Sequence, residues 1–154
     1  MHKDYSKYLG FLMGVAFRGL KKKADQALAP FHLTAQQWGV LARLYEEDGL
    51  AVGEIANRMQ TEVPTVTRIV DLLEGKGFVS KKPSMKDRRS VQVFLTQKGM
   101  AIEAALRDKI TKVIEIALKG FETHEVDRLK RDLSRITKNL MADKPEKQDG
   151  VSLD

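Results

Sequence analysis

The chain contains no cysteine. That absence excludes disulfides, thiolate metal ligation and thiol-based redox sensing, and it fits a reducing, cytoplasmic setting. The three histidines, His2, His32 and His124, are scattered, and only His124 has carboxylates beside it, Glu122 and Glu125. A structural zinc ion wants about four ligands, so neither a metal nor a cofactor is expected. No apolar run approaches the roughly 20 residues that cross a bilayer, and the opening Met1-His2-Lys3-Asp4 does not read as a secretory signal. No membrane association is expected. Repeats, low-complexity runs, a glycine-rich phosphate loop and a nucleophile paired with a base are all missing, so catalysis is not expected either.

What the chain has is positive charge, unevenly placed. The formal net charge over 154 residues is +6, which favours an acidic partner. Residues 34–60 carry four acids against two bases, whereas residues 61–98 carry four acids against eight bases. The densest stretch is KKPSMKDRRS, residues 81–90. Its cations are Lys81, Lys82, Lys86, Arg88 and Arg89, around the single anion Asp87. Like charges repel, so a purely structural turn gains nothing from them. Either an acidic partner compensates them or they form a solvated tip. A second cluster is Lys21-Lys22-Lys23.

Apolar spacing supplies the frame. From Asp4 to about Leu28, positions Tyr5, Tyr8, Leu9, Leu12, Met13, Ala16, Leu20, Ala24 and Leu28 recur at steps of three and four, predicting a long amphipathic helix that Pro30 ends. Thr34 with Gln37 reads as a capping box for a second helix through Trp38, Leu41 and Leu44, broken at Asp48-Gly49. A short third helix spans Gly53 to Met59. Thr61 is the expected N-cap of a fourth, running to about Lys76, with Pro64 in its tolerant first turn and Gly77 as a left-handed terminator. Phe78-Val79 and Val91–Leu95 read as a two-stranded hairpin joined by the basic loop. Thr96 then caps a long fifth helix carrying Met100, Ile102, Leu106, Ile110, Val113, Ile114 and Ala117. A sixth runs from Thr123 to about Met141, with Val126, Leu129, Leu133, Ile136 and Leu140 at steps of 3, 4, 3 and 4. The polar tail from Lys144 is expected to be disordered.

Helix, tight turn, helix, then hairpin is a helix-turn-helix followed by a wing, and that arrangement suits duplex DNA. An α-helix fits the major groove, and a hairpin tip can lie along the adjacent minor groove or backbone. At about 100° per residue the fourth helix divides into a core side (Val66, Ile69, Val70, Leu73) and an outer side (Pro64, Thr67, Arg68, Asp71), with Thr61 and Thr65 flanking. Short hydroxyls permit close approach, and Arg68 can reach guanine O6 and N7 bidentately. The plainer alternatives are a solvated or Asp71-paired Arg68, and Thr61 and Thr65 as simple caps. In the wing, the cations would meet phosphates and one arginine would enter the minor groove, where its weakly hydrated head desolvates more easily than an ammonium. Asp87 is expected to brace a neighbouring arginine.

Four stretches, LTAQQWGVLARL, EIANRM, PTVTRIVDLLEGKGFV and KDRRSVQVFLTQKG, match in order and spacing those of the MarR family of multiple-antibiotic-resistance transcriptional regulators. The resemblance covers about residues 5–142. Its most specific piece is the Asp-Arg-Arg wing followed by Val-x-Leu-Thr-x-x-Gly. It implies a mainly α fold with a small β-hairpin wing: a winged helix-turn-helix over residues 34–96 and a helical dimerisation region over 1–33 and 97–143. It implies a homodimer whose first, fifth and sixth helices intertwine, and the seam of the sixth helix independently asks for a partner surface. Leu9, Leu12, Leu129, Leu133, Ile136 and Leu140 are its candidates.

By that resemblance the minor-groove role falls on Arg89, two residues after Asp87, and the recognition-helix role on Arg68, four after Pro64. Lys86 and Arg88 are candidates for phosphates. Family members often bind small aromatic anions, which release DNA, so a repressor with such a ligand is expected, with Phe17, Arg18, His32 and Trp38 as candidates. Trp38 and His32 read equally as ordinary structural residues. Three departures stand out. Ala51 replaces a usual Thr or Ser cap, Gly75 replaces a usual polar residue, and the cysteine of peroxide-sensing members is missing. The competing reading is a winged-helix protein- or RNA-docking module without operator specificity. Preference for duplex DNA over A-form RNA separates the two, because the A-form major groove is too narrow for a helix.

Overall fold

The structure, a computed structural model, describes residues 6–143. Asp4 and Tyr5, expected to open the first helix, and the tail from Lys144 lie outside the described residues. The chain falls into two compact units that meet at Ala117 and Leu118.

In the first unit, helix α1 (Ser6–Leu28) ends in one 3-10 turn, Ala29–Phe31, which carries Pro30 and stops at His32 in the left-handed region (φ 56°). Thr34 caps α2 (Ala35–Glu46) by the full reciprocal box. Its hydroxyl accepts the Gln37 amide at 3.2 Å, and the Gln37 side chain accepts the Thr34 amide at 3.1 Å. Asp25 ties the two helices together by accepting the Ala35 amide at 2.7 Å and the Lys21 ammonium at 2.8 Å. Burial alone would raise its pKa, but these two donors outweigh it and hold the carboxyl below its ordinary range.

Gly49 (φ 77°) turns the chain into β1 (Leu50–Ala51), a strand too short to show a period in sequence. It pairs with β3 (Val91–Leu95), and β3 pairs with β2 (Val79–Pro83), giving an antiparallel sheet of order β1-β3-β2. The expected hairpin forms as β2 with β3, and β1 joins it as a third strand. Its first strand also runs further than Phe78-Val79 and absorbs Lys81, Lys82 and Pro83, so those residues are strand rather than loop. Extended residues Ser80 to Pro83 keep pairing because β3 opposite them supplies an unbroken partner.

Helix α3 spans Val52–Met59, and only half of a capping box is made there. The Ala51 amide donates to Glu54 at 2.8 Å, while alanine offers no acceptor in return. Helix α4 spans Val63–Gly75 with Glu62, not Thr61, at its N-cap. Thr61 lies one residue too early and belongs to the end of α3, where its amide donates to the Ala56 carbonyl at 3.0 Å after a left-handed Gln60. Gly75 is the last residue of α4, where glycine costs less than in a helix interior, and Gly77 (φ 78°) ends the turn as expected.

The expected fifth helix is broken at Ile102 into α5 (Gln97–Ala101) and α6 (Glu103–Ala117). The break puts Ile102 and Leu106 against the core and leaves Met100 and Ile114 exposed. The core gathers Leu28, Leu41, Leu44 and Leu50 with Ile55, Val66, Val70 and Leu73 of the helix-turn-helix, and with Val79, Val93 and Leu106 beneath the sheet.

In the second unit, α7 (Thr123–Ala142) has no buried residue. Its seam leaves Leu129, Leu133 and Leu140 exposed and Val126 and Ile136 partly covered. On α1, in the first unit, Leu9 and Leu12 are likewise exposed. Among the described residues no helix is long and apolar enough to cross a membrane.

Candidate nucleic-acid interface

Helix α4 divides as its sequence predicts. Val66, Ile69, Val70 and Leu73 are buried, while Pro64, Thr65, Thr67, Arg68 and Asp71 are exposed; Thr61, in the turn before, is half-buried. The Thr67 hydroxyl donates to the Val63 carbonyl at 3.0 Å, which leaves its oxygen lone pairs facing outward. Arg68 carries no ion pair among the described residues. The plainer expectation that Asp71 would hold Arg68 fails, because Asp71 pairs with Lys81. On one flank of α4, a groove of about 480 Å³ is lined by Thr34, Pro64, Thr65, Arg68 and Leu72. On the other, a groove of about 390 Å³ runs between α3, α4 and the wing, with Val52, Val63, Thr67, Lys81 and Arg89 along it.

The sheet sorts the five cations of residues 81–90 into three kinds. Lys81 is bound to α4: its ammonium lies 2.5 Å from Asp71 Oδ1 and 3.5 Å from Glu74 Oε1, and its backbone amide donates to Glu74 Oε2 at 2.9 Å. The hydrogen bond to Asp71, with Glu74 beside it, raises the Lys81 pKa above its ordinary value. Lys82 points the other way and stands over the Phe94 ring, 5.0 Å from its centre. Lys86, Arg88 and Arg89 have no carboxylate partner among the described residues.

Those three are displayed from an ordered turn. The Ser84 amide donates to the Ser90 carbonyl at 2.9 Å, the Ser84 hydroxyl accepts the Lys86 amide at 3.2 Å, and the Ser90 amide donates to the Asp87 carbonyl at 2.9 Å. Asp87 does not brace an arginine side chain as expected. Its Oδ1 accepts the Arg89 backbone amide at 3.0 Å, because a carboxylate reaches the amide two residues on without ordering a long side chain.

The base of the wing is anchored where the Thr-x-x-Gly motif begins α5. Thr96 accepts the Gly99 amide at 3.1 Å and donates its hydroxyl to the Gly77 carbonyl at 2.6 Å, while its own amide donates to the Phe78 carbonyl at 3.1 Å. Asp48 Oδ1 accepts the Leu95 amide at 2.8 Å, and the Tyr45 hydroxyl donates to the Gly99 carbonyl at 2.6 Å. Burial first, then the Glu103 charge against that of Arg107, raises the Tyr45 hydroxyl to about 12.

Of the ligand candidates, Phe17 and Arg18 are exposed on α1. His32 is exposed, and its carbonyl accepts the Lys76 ammonium at 2.5 Å. Trp38 packs against the core with its ring 6.2 Å from that of Tyr45. Sequence reasoning missed the Lys81 contacts, although a signal existed. Asp71 and Glu74 lie three apart on the wing-facing side of α4, and Lys81 lies two residues after buried Val79, hence on the same face of its strand.

Comparison with known proteins places this architecture. The sequence profile of the MarR family matches residues 33–91. An HTH-type transcriptional regulator of Staphylococcus aureus, SarZ, is 30% identical over 135 residues, which cover 88% of this chain and 85% of that protein. YybA of Bacillus subtilis, described as an uncharacterized HTH-type transcriptional regulator, is 28% identical over 131 residues, 85% of this chain and 87% of that one. Among solved structures, a mutant MarR from Escherichia coli complexed with operator DNA superposes with a TM-score of 0.77 at 26% identity, covering 83% of this chain and 92% of the other. The helix-turn-helix, the charged wing and these likenesses along most of the chain agree: it belongs to the MarR family of winged-helix transcriptional regulators, which are not enzymes.

Proposed function

We propose that the chain acts as a homodimer that binds double-stranded DNA sequence-specifically and represses transcription until a small aromatic anion releases it. One observation carries this reading: Arg68, without an ion pair among the described residues, is exposed on α4, and an ordered turn presents Lys86, Arg88 and Arg89, whose side chains have no carboxylate partner among those residues. Residues 34–96 form the DNA-binding part, and 1–33 with 97–143 form the dimerisation part. Helix α4 enters the major groove. There Arg68 addresses a guanine edge, and Thr61, Pro64, Thr65 and Thr67 approach the backbone and base edges. Arg89 enters the adjacent minor groove, Lys86 and Arg88 meet phosphates, and Asp87 fixes the turn that aims them.

The dimer is supported by the apolar surface left on α1 and α7. Leu12 is 59% exposed and Leu140 71% exposed, far more than an isolated chain keeps without reason. Phe17, Arg18, His32 and Trp38 remain the candidates for the ligand, and the cytoplasm is the expected location. The test is selection of bound duplexes from a random pool by the purified full chain. The expected result is a pseudo-palindrome with half-sites about 10 bp apart and A·T-rich flanks under the wings. Equal affinity for an A-form RNA duplex of the selected sequence would leave a docking module in its place.

A further inference from the structure

We propose that Lys81 is a positioning residue and not a phosphate contact: clasped by Asp71 and Glu74, it locks the wing to the recognition helix so that both elements reach one duplex. This rests on the DNA-binding reading above.

Two donor groups of one residue make three contacts with two carboxylates of α4. The Lys81 ammonium lies 2.5 Å from Asp71 and 3.5 Å from Glu74, and its amide donates to Glu74 at 2.9 Å. Strand β2 is an edge of the sheet, so that amide has no ladder partner, and Glu74 satisfies it. A single helical carboxylate thus holds both the backbone and the side chain of the strand that leads into the turn. The cations beyond it behave differently. The side chains of Lys86, Arg88 and Arg89 meet no carboxylate among the described residues, although Asp87 lies between them and takes the Arg89 backbone amide. The clasp also answers a problem of sign. Asp71 is exposed on the face that would meet DNA, where a bare carboxylate repels phosphates, and the ammonium beside it offsets that charge.

Without the clasp the wing would sample orientations in which α4 and the turn cannot engage together. Apparent affinity falls by the fraction of time the competent orientation is populated. If that fraction drops to between about a third and a tenth, the dissociation constant rises roughly 3- to 10-fold for each wing.

The experiment measures affinity of the full-length protein for its selected duplex across a salt series, for wild type, Lys81→Met, Lys81→Arg and Asp71→Asn/Glu74→Gln. A latch predicts that Lys81→Met weakens binding by that factor with the slope of log K against log salt unchanged, and that Lys81→Arg restores affinity. It also predicts that Asp71→Asn/Glu74→Gln weakens binding, although it removes two negative charges from the interface. A phosphate contact predicts the opposite signature: a slope reduced by about 0.9 for each lost contact in Lys81→Met, and tighter binding in the carboxylate variant. Either of those results, or wild-type affinity in Lys81→Met, overturns the latch. Failure of the wild type to select any duplex sinks the DNA-binding reading instead, so the two failures are distinguishable.

Discussion

Replacing Gly99 by alanine tests why the Thr-x-x-Gly motif ends in glycine. A Cβ at Gly99 would lie 2.2 Å from the Phe78 carbonyl oxygen and 3.2 Å from its carbon, whereas ordinary contacts begin near 3.4 Å. The obstacle is backbone, so no flexible tip can swing aside, and either α5 or the Gly77–Phe78 turn must shift by about an ångström. That oxygen also accepts the Thr96 amide at 3.1 Å, so the shift loosens the bond that ties α5 to the base of the wing. Overpacking a tight site costs about 1–3 kcal/mol, and a strained hydrogen bond adds up to about 1 kcal/mol. The expected loss is therefore about 1–4 kcal/mol, or roughly 3–15 °C in melting temperature for a chain of this size. Urea and thermal melts at one fixed protein concentration measure it, which holds any contribution from the proposed dimer constant. Gly75→Ala is the companion variant. No atom stands within 4 Å of its added methyl, and Gly75 closes α4, so it should stabilise the helix by no more than about 0.5 kcal/mol. A Gly99→Ala protein that melts within 2 °C or so of wild type, or two variants that shift the same way, would refute the steric account.

Removing the Arg68 guanidinium (Arg68→Ala) should cost about 1–3 kcal/mol of binding to the selected duplex and blur preference at one base pair, read by titration against single-base variants of the site. Arg89→Ala should weaken binding on sites with A·T-rich flanks and change little where G·C flanks widen the minor groove; equal losses on both would remove it from the minor groove. Tyr45, raised to about 12 when folded against about 10 unfolded, contributes stability that is complete below pH 10 and is lost as the pH climbs through 12. Tyr45→Phe, compared with wild type in melts from pH 9 to 12, should therefore lose stability less steeply over that window.

The fold was legible wherever a period had room to repeat. The buried face of α4 and the Thr34–Gln37 box could be read directly, because three- and four-residue spacing and a capping pair are local signals. What escaped was short or set by distant neighbours. Strand β1 has two residues and exists because β3 pairs with it. The extension of β2 through Pro83 depends on the same partner, since Lys81, Lys82 and Pro83 have no strand-like composition of their own. The break at Ile102 interrupts an apolar series that continues in sequence. Thr61 was misread for a related reason: a threonine before a proline-containing helix looks like a cap, but the turn that ends α3 takes in Thr61 and α4 opens one residue later.

The candidate site was legible as a location and misleading as a tally. Charge density points to residues 81–90, yet a count of cations treats all five alike. A strand alternates its faces, so Lys81 and Lys82 part company at once, one to the carboxylates of α4 and the other onto the Phe94 ring. Only past Pro83, where Ser84 and Asp87 close the turn through backbone amides, do the cations stand without a carboxylate partner among the described residues. Asp87 follows the same logic. The motif around it suggests an arginine pair, but a nearby amide wins over a side chain that must surrender several rotors to be held. This basic hairpin therefore displays fewer charges than it contains, because the two strand lysines are engaged within the fold.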